Sequence, residues 1–398
     1  MLKGTLRGKW AFQPFQTASL PSKVSVCYQP FRCSPNSIPP VKSEGKVIEP
    51  TFSIGAEESK MSLDKEKLKQ DILSIKKVGN ITWKDFSDLT KFKLSLMNTW
   101  VAATGYFMTN KCLYTDFSDV GLFLLAVQMS AMSSQTMNQA IEVEHDKKMK
   151  RTAHRPLPSG KFTPAQATKL SWGLLGASNI LLYSLFGWQA GAVANAIFSS
   201  YIWIYTPMKR TSEANTAWGS LVGAIVPYLG WFAGGGSALS MTPFFVCSFI
   251  FAWQFPHFYG ILWTYKDDYK RGGFKMLEDH VKAARHSKLA VAGYLASTIG
   301  LICTGDISIY SSLPAGYAFW KYGWKPAVEF EKNPTLENAK KLKYGSYWPF
   351  TIFMLAVILG IVQRVYMNIY HQEVLPVDEK KENGANTQEK VVEIAKTA

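Results

Sequence analysis

Residues 214–265, ANTAWGSLVGAIVPYLGWFAGGGSALSMTPFFVCSFIFAWQFPHFYGILWTY, contain no Asp, Glu, Lys or Arg. A helix needs about 20 apolar residues to cross a bilayer, so this run suffices for two passes. Its interruption AGGGSALSMTP (233–243) holds the glycines that a turn between them requires. Toward the N-terminus, residues 170–208 form a second uncharged run, divided by FGWQAG (186–191). A mean hydropathy of -0.03 conceals this segregation, because the charges gather at the two ends and in a few loops. The pattern predicts an all-α integral membrane protein. Its nine transmembrane helices fall at 94–110, 120–141, 166–186, 190–206, 216–233, 243–264, 289–305, 307–320 and 344–364, the eighth being the weakest.

Orientation follows from the connections. Lys and Arg total 21 in 142–163, 207–215, 266–288 and 321–343, whereas the opposite connections hold only Lys111. The positive-inside bias then puts the N-terminus and the charged loops toward matrix or cytoplasm and the C-terminus on the other side. The same placement accounts for the net charge of +15, so a nucleic-acid partner is set aside and the lipid bilayer takes its place.

Residues 1–43 carry Lys3, Arg7, Lys9, Lys23, Arg32 and Lys42 among Ser, Thr and Pro, with no acid before Glu44. That composition predicts a mitochondrial transit peptide. The chain divides into a transit peptide (1–45), a matrix-side segment with an amphipathic helix near 56–80 (46–88), the nine-helix domain (89–370) and a disordered charged tail (371–398). Cys27, Cys33, Cys112, Cys247 and Cys303 are scattered without a Cys-x-x-Cys pair, and no zinc or dithiol chemistry is expected of them.

The charges return at NQAIEVEHDKKMKRTAHRPLPSG (138–160). Asn138, Glu142 and Asp146 recur every fourth residue, which on a helix makes one polar stripe. Two carboxylates and an amide suit Mg2+, which takes oxygen ligands, keeps several waters and bridges to phosphate. Lys147, Lys148, Lys150, Arg151 and Arg155 follow, donors of the kind that hold a diphosphate. An ordinary helix end with intrahelical ion pairs and a basic membrane skirt fits this stretch equally well.

A second group lies on the same membrane side. WQFPHFYGILWTYKDDYKRGGFKML (253–277) carries Lys266, Asp267, Asp268, Lys270 and Arg271, and YTPMKR (205–210) carries Lys209 and Arg210 beside a helix break expected at Pro207. Acids and bases gathered at one face of a bundle can cradle a metal-bridged diphosphate, or simply end helices and set topology. His257 stands inside the sixth span and His154 between Arg151 and Arg155. Each is a candidate ligand for a metal, and each also fits an internal hydrogen bond. Asn98, in the first span, reads as a helix-to-helix hydrogen bond.

Together, the motif at 138–160, YTPMKR with GSLVGAIVPYLGW (219–231), WQFPHF (253–258) running to Asp267-Asp268-Tyr269, LTKFKL (89–94) and GGFKML (272–277) resemble the intramembrane UbiA-type prenyltransferases, in their haem-farnesylating branch, over roughly 88–370. Glu142 stands where the family often has Asp, keeping the charge on a longer arm. Phe92 replaces a common Pro, and Phe274-Lys275 interrupts a run of small residues.

The resemblance implies a lipid-accessible central cavity and transfer of a farnesyl group from farnesyl diphosphate to the 2-vinyl group of haem B. The product is haem O, precursor of haem A for cytochrome oxidase. It implies Mg2+ on Asn138, Glu142, Asp146 and Asp268, with Arg151, Arg155, Lys209, Arg210 and Lys266 on the diphosphate. His257 and His154 are the residues for haem. The expected place is the mitochondrial inner membrane, with a downstream haem A synthase or a second copy of the chain as protein partner. A UbiA-type enzyme acting on a quinone precursor shares every diphosphate residue. A carrier of similar helix count has little use for acids and bases concentrated on one face.

Overall fold

A computed structural model describes residues 81–109 and 116–374, with side chains to 368. The transit peptide, the amphipathic stretch at 56–80, Lys111, Cys27, Cys33 and Cys112 lie outside these residues, as does the tail beyond 374. Every described element is helical. In order they are α1 (Trp83–Leu89), α2 (Phe92–Phe107), α3 (Phe117–Lys148), α4 (Pro164–Leu185), α5 (Trp188–Ser199), α6 (Thr206–Thr211), α7 (Asn215–Ala224), α8 (Val226–Ala233), α9 (Met241–Thr264), α10 (Lys266–Arg271), α11 (His280–Cys303), α12 (Ile309–Ala318), α13 (Lys325–Lys332), α14 (Leu336–Gly345) and α15 (Tyr347–Val374). Wide π-helical turns, Ser200–Tyr205 and Phe319–Trp324, join α5 to α6 and α12 to α13. Three helical stretches, α3, α9 and Leu336–Asn368, are each long and apolar enough to cross a membrane unaided.

Small residues decide how closely the helices approach, as expected where lipid removes the hydrophobic drive between them. At the crossing of α2 and α8, a Cβ on Gly105 would lie 2.0 Å from the Pro227 carbonyl oxygen, and one on Gly230 would lie 1.8 Å from that of Ala102. Only glycine leaves room for this backbone contact. Between α3 and α4, Ser133 Oγ and Ser171 Oγ each donate to the other's carbonyl at 2.8 Å, and Ser178 Oγ donates to Ala126 O at 2.7 Å. The apolar core runs through Phe249, stacked on Phe353 with centroids 3.6 Å apart, and on to Tyr294 and Phe319.

Local chemistry starts the helices. Thr163 and Gln166 form a reciprocal capping box with Pro164 in the first turn of α4, and Thr82 and Asp85 do the same for α1. Asp85 also receives Lys161 Nζ at 2.6 Å, which ties α1 to the turn before α4. The Lys161 bond, then those from Thr82, lower the Asp85 carboxyl from 3.8 to about 2. A depressed carboxylate pKa adds stability that is present above the unfolded value and lost as pH falls through the folded one. Thermal melts should therefore show an Asp85-dependent loss between about pH 4 and pH 2, absent from Asp85→Asn. Equal acid sensitivity in the two proteins would remove this tie as its cause.

Two expectations change. Pro207 does not break the chain: Tyr205 and Thr206 keep helical angles, and α6 carries the helix on to Thr211. The preceding π-helical turn relieves the clash between a proline ring and the carbonyl a turn earlier. At the other end, α15 continues through Val374, so residues 371–374, expected to open the tail, are helical. Nothing between 364 and 374 is Gly or Pro, and the helix has no reason to stop there.

Candidate active site

Asn138, Glu142 and Asp146 share one buried stripe of α3, and each finds its partner on a different part of the chain. Lys209, carried inward by α6, places Nζ 2.9 and 3.1 Å from the two Glu142 oxygens. Arg155 donates to Asp146 Oδ2 at 2.9 Å. Asn138 donates through Nδ2 to Thr206 Oγ1 at 3.1 Å, and its Oδ1 receives Lys91 Nζ at 3.4 Å. Lys91 also donates to Gln135 Oε1 at 3.0 Å. It sits at φ 45° between α1 and α2, a left-handed conformation that non-glycine residues seldom adopt and that marks functional positions.

The local field is positive. Burial disfavours the Lys209 ammonium, but the Glu142 carboxylate against it outweighs that and raises its pKa. Burial, and then the charges of Arg155 and Lys209, push Lys91 down to about 7. Glu142 and Asp146 are each matched by one cation, Lys209 and Arg155, with Lys91 beside them. Arg151 adds to this: its guanidinium lies over the rings of Tyr265 (5.2 Å) and Tyr269 (5.9 Å), and its buried Nε has no hydrogen-bond partner among the described residues. A buried donor left unsatisfied is costly, and a polyanion satisfies it.

Asp268 is placed differently from the other acids. Its carboxylate accepts the backbone N–H of Lys150 (3.1 Å) and Arg151 (3.2 Å) and pairs with Arg271. Burial raises its pKa, but these donors together hold it below the ordinary value. It pins the turn after α3, and so sets the direction of Arg151. Among the described residues no three His, Cys, Asp or Glu side chains gather closely; Asp268 is engaged by the turn after α3 and by Arg271. The remaining set of Asn138, Glu142 and Asp146 still fits Mg2+, which binds through one or two carboxylates plus substrate phosphates.

Other candidates lie apart. Lys266 rests over Trp263 at 4.5 Å with Glu278 3.9 Å away, while Arg210, Asp267 and His154 are exposed. Lys147 pairs with Glu144 on the surface.

Beneath the cluster is a cavity of about 320 Å3, lined by Gln135, Tyr201 and Tyr205 at the charged end and by Asn98, Val226, Trp253, His257 and Phe350 along its walls. Leu94 and Met97 also line it while standing 45% and 44% exposed, so the cavity opens to the outside of the bundle beside α2. His257 stacks on Trp253 and hydrogen-bonds through Nδ1 to Ser346 Oγ at 3.2 Å. Ser346 spends its own proton on Lys343 O at 2.6 Å. With that proton committed, Ser346 Oγ is free to accept from His257 Nδ1–H, and the ring also hydrogen-bonds the Lys343 backbone.

Gln135 and Tyr201 are site residues that motif spacing did not single out, and Lys91, Tyr205 and Arg271 lay inside the quoted motifs without a role of their own. Gln135 lies one turn before Asn138 on the same stripe and was legible there. The π-helical turn that aims Tyr201 and Tyr205 inward has no clear sequence signal.

A profile of the UbiA prenyltransferase family matches residues 97–334. The chain is 31% identical over 304 residues to a protoheme IX farnesyltransferase of Opitutus terrae, covering 74% of this chain and 99% of that protein. It is 30% identical over 321 residues to the mitochondrial protoheme IX farnesyltransferase of Homo sapiens, covering 78% and 68%. Among solved structures, a digeranylgeranylglyceryl phosphate synthase shares the fold at a TM-score of 0.57 and 18% identity, over 70% of this chain and 98% of that one.

Proposed function

The chain belongs to the UbiA prenyltransferase family, in its protoheme IX farnesyltransferase branch, and from that premise we propose that it joins the farnesyl group of farnesyl diphosphate to the 2-vinyl group of haem B, giving haem O. The observation that carries this reading is the junction of a cluster of buried carboxylates and cations with an apolar cavity on whose wall His257 stands.

Lys91, Arg151, Arg155 and Lys209 receive the diphosphate, and Glu142 and Asp146 hold two of these cations in place until it arrives. Mg2+, when bound, would be held by Asn138, Glu142 and Asp146, with Asp268 beside the turn after α3, and would supply further neutralisation of the leaving diphosphate. Asp268 acts through the turn that it anchors. The allylic C–O bond breaks with its electron pair on the leaving diphosphate, in a setting where preorganised positive charge lowers the barrier. Tyr201 and Tyr205 present ring faces to the cation, and the apolar walls keep water from it. The vinyl π pair then forms the new C–C bond, the charge passes to the carbon beside the pyrrole, and water adds there with loss of a proton. His257, on the cavity wall, is the residue we assign to the haem iron.

The wider reading is of nine spans in the mitochondrial inner membrane, with the charged loops on the matrix side. It rests on the loop charges and on the mitochondrial relative. Haem O made there passes to an enzyme that oxidises it toward haem A.

The test is a product mass. Purified protein given haem B, farnesyl diphosphate and Mg2+ should release a porphyrin heavier than haem B by a farnesyl group and a hydroxyl. His257→Ala should raise the KM for haem B roughly tenfold and leave that for farnesyl diphosphate in place, in line with the loss of one strong contact. Prenylation of a hydroxybenzoate in place of haem would overturn the acceptor, whereas an unchanged haem KM in the variant would remove His257 alone.

A further inference from the structure

The last charged connection ends against α9 in an unusually fixed way. A Cβ on Gly260 would lie 2.6 Å from Lys343 N, so the end of α14 rests directly on the α9 backbone there. Trp253 Nε1 donates to Ser346 O at 2.7 Å, and His257 bonds Ser346 Oγ. Three contacts from α9 thus hold the turn 343–346, and this turn carries Lys343, half-buried and in no ion pair among the described residues. Its ammonium lies over Tyr344 (4.6 Å) and Tyr265 (5.7 Å). Tyr265 is the ring that also carries Arg151.

Neighbouring cations differ from it. Lys341, on the same helix, is exposed and pairs with Glu337 at 3.0 Å, as surface lysines do. A lysine held by a glycine contact and two hydrogen bonds of its own turn, over aromatic faces and with no carboxylate supplied, is placed for an anion from outside the chain. The diphosphate has its own cations in Lys91, Arg151, Arg155 and Lys209. Lys343 is instead joined through Ser346 to His257, the residue offered to the iron. A metalloporphyrin presents an iron and two carboxylates on one rigid ring, with the carboxylates on the edge away from the 2-vinyl group.

We propose that Lys343, beside His257, grips a propionate carboxylate of the porphyrin acceptor, and so selects the acceptor and orients its vinyl edge toward the farnesyl carbon. This deepens the haem reading and rests on it.

The experiment compares haem B with its dimethyl ester, in which both carboxylates are masked, using the full chain in lipid nanodiscs. Lys343→Gln should raise the KM for haem B about tenfold, the scale of one charge-assisted hydrogen bond, with little change in the KM for farnesyl diphosphate. Lys343→Arg should recover most of the loss. With the dimethyl ester, wild type and Lys343→Gln should behave alike, because the partner group is already gone. An equal penalty on the ester would overturn the proposal, as would a KM shift confined to farnesyl diphosphate, which would move Lys343 to the leaving group. Unchanged haem kinetics in Lys343→Gln would overturn it and leave the function reading standing. Absence of any prenylated porphyrin from wild type would overturn both.

Discussion

Glu142→Gln should lower kcat by about a thousandfold while the protein still inserts into membrane. The substitution keeps shape and reach but removes one of the two charges that the α3 stripe presents, and losses of about 10²–10³ are usual when a preorganised electrostatic contact is removed from a water-poor site. Stability should suffer as well. Lys209 would be left a buried cation with only an amide and the Tyr205 ring, 4.7 Å from Nζ, beside it, and breaking a buried ion pair costs about 3–5 kcal/mol when one partner is removed. The amide still accepts a hydrogen bond, so the lower end of that range applies. Lys209→Met strands Glu142 in the same way, and the double variant Glu142→Gln with Lys209→Met should melt higher than the sum of the singles predicts, because neither charge is then orphaned. Rates within a few fold of wild type in Glu142→Gln would sink the assignment of Glu142 to metal and diphosphate. Strict additivity would show that the 2.9 Å contact is energetically idle.

The second large effect is structural. Gly230→Ala should destabilise the bundle by about 3 kcal/mol or more, because the added methyl lands 1.8 Å from a carbonyl oxygen rather than against a side chain that can swing aside. Gly105→Ala meets Pro227 O at 2.0 Å and should behave alike. Relief requires α2 and α8 to separate. Since α2 begins at Lys91 and carries Asn98 along the cavity wall, activity should fall with stability. Gly121→Ala is the control: its Cβ meets nothing within 4 Å, and an exposed helical glycine replaced by alanine should be neutral or gain up to about 1 kcal/mol. Thermal melts of the three variants in one detergent decide the matter. If Gly230→Ala melts with Gly121→Ala, the close crossing is not what holds these helices.

Much was legible from the chain alone because the relevant physics is local. Hydropathy needs no partner to act, so the uncharged runs at 170–208 and 214–265 already specify helices for an apolar solvent. Charge asymmetry between loops acts on each loop separately, and the period of four in Asn138, Glu142 and Asp146 places them on one stripe wherever α3 packs. What tertiary structure alone decided is which groups face one another. Glu142 and Lys209 are 67 positions apart, and Asp268 and Arg151 are 117 apart. No local pattern relates them, because their distance is set by how α3, α6 and α10 pack in the closed bundle. The same reason separates the four acids and amides grouped by motif. Packing sets Glu142 against Lys209 and Asp146 against Arg155, and turns Asp268 onto the backbone of Lys150 and Arg151. Lys91 enters through a left-handed kink and Lys343 through a helix seated on Gly260, and those two positions exist only once the helices have closed around them.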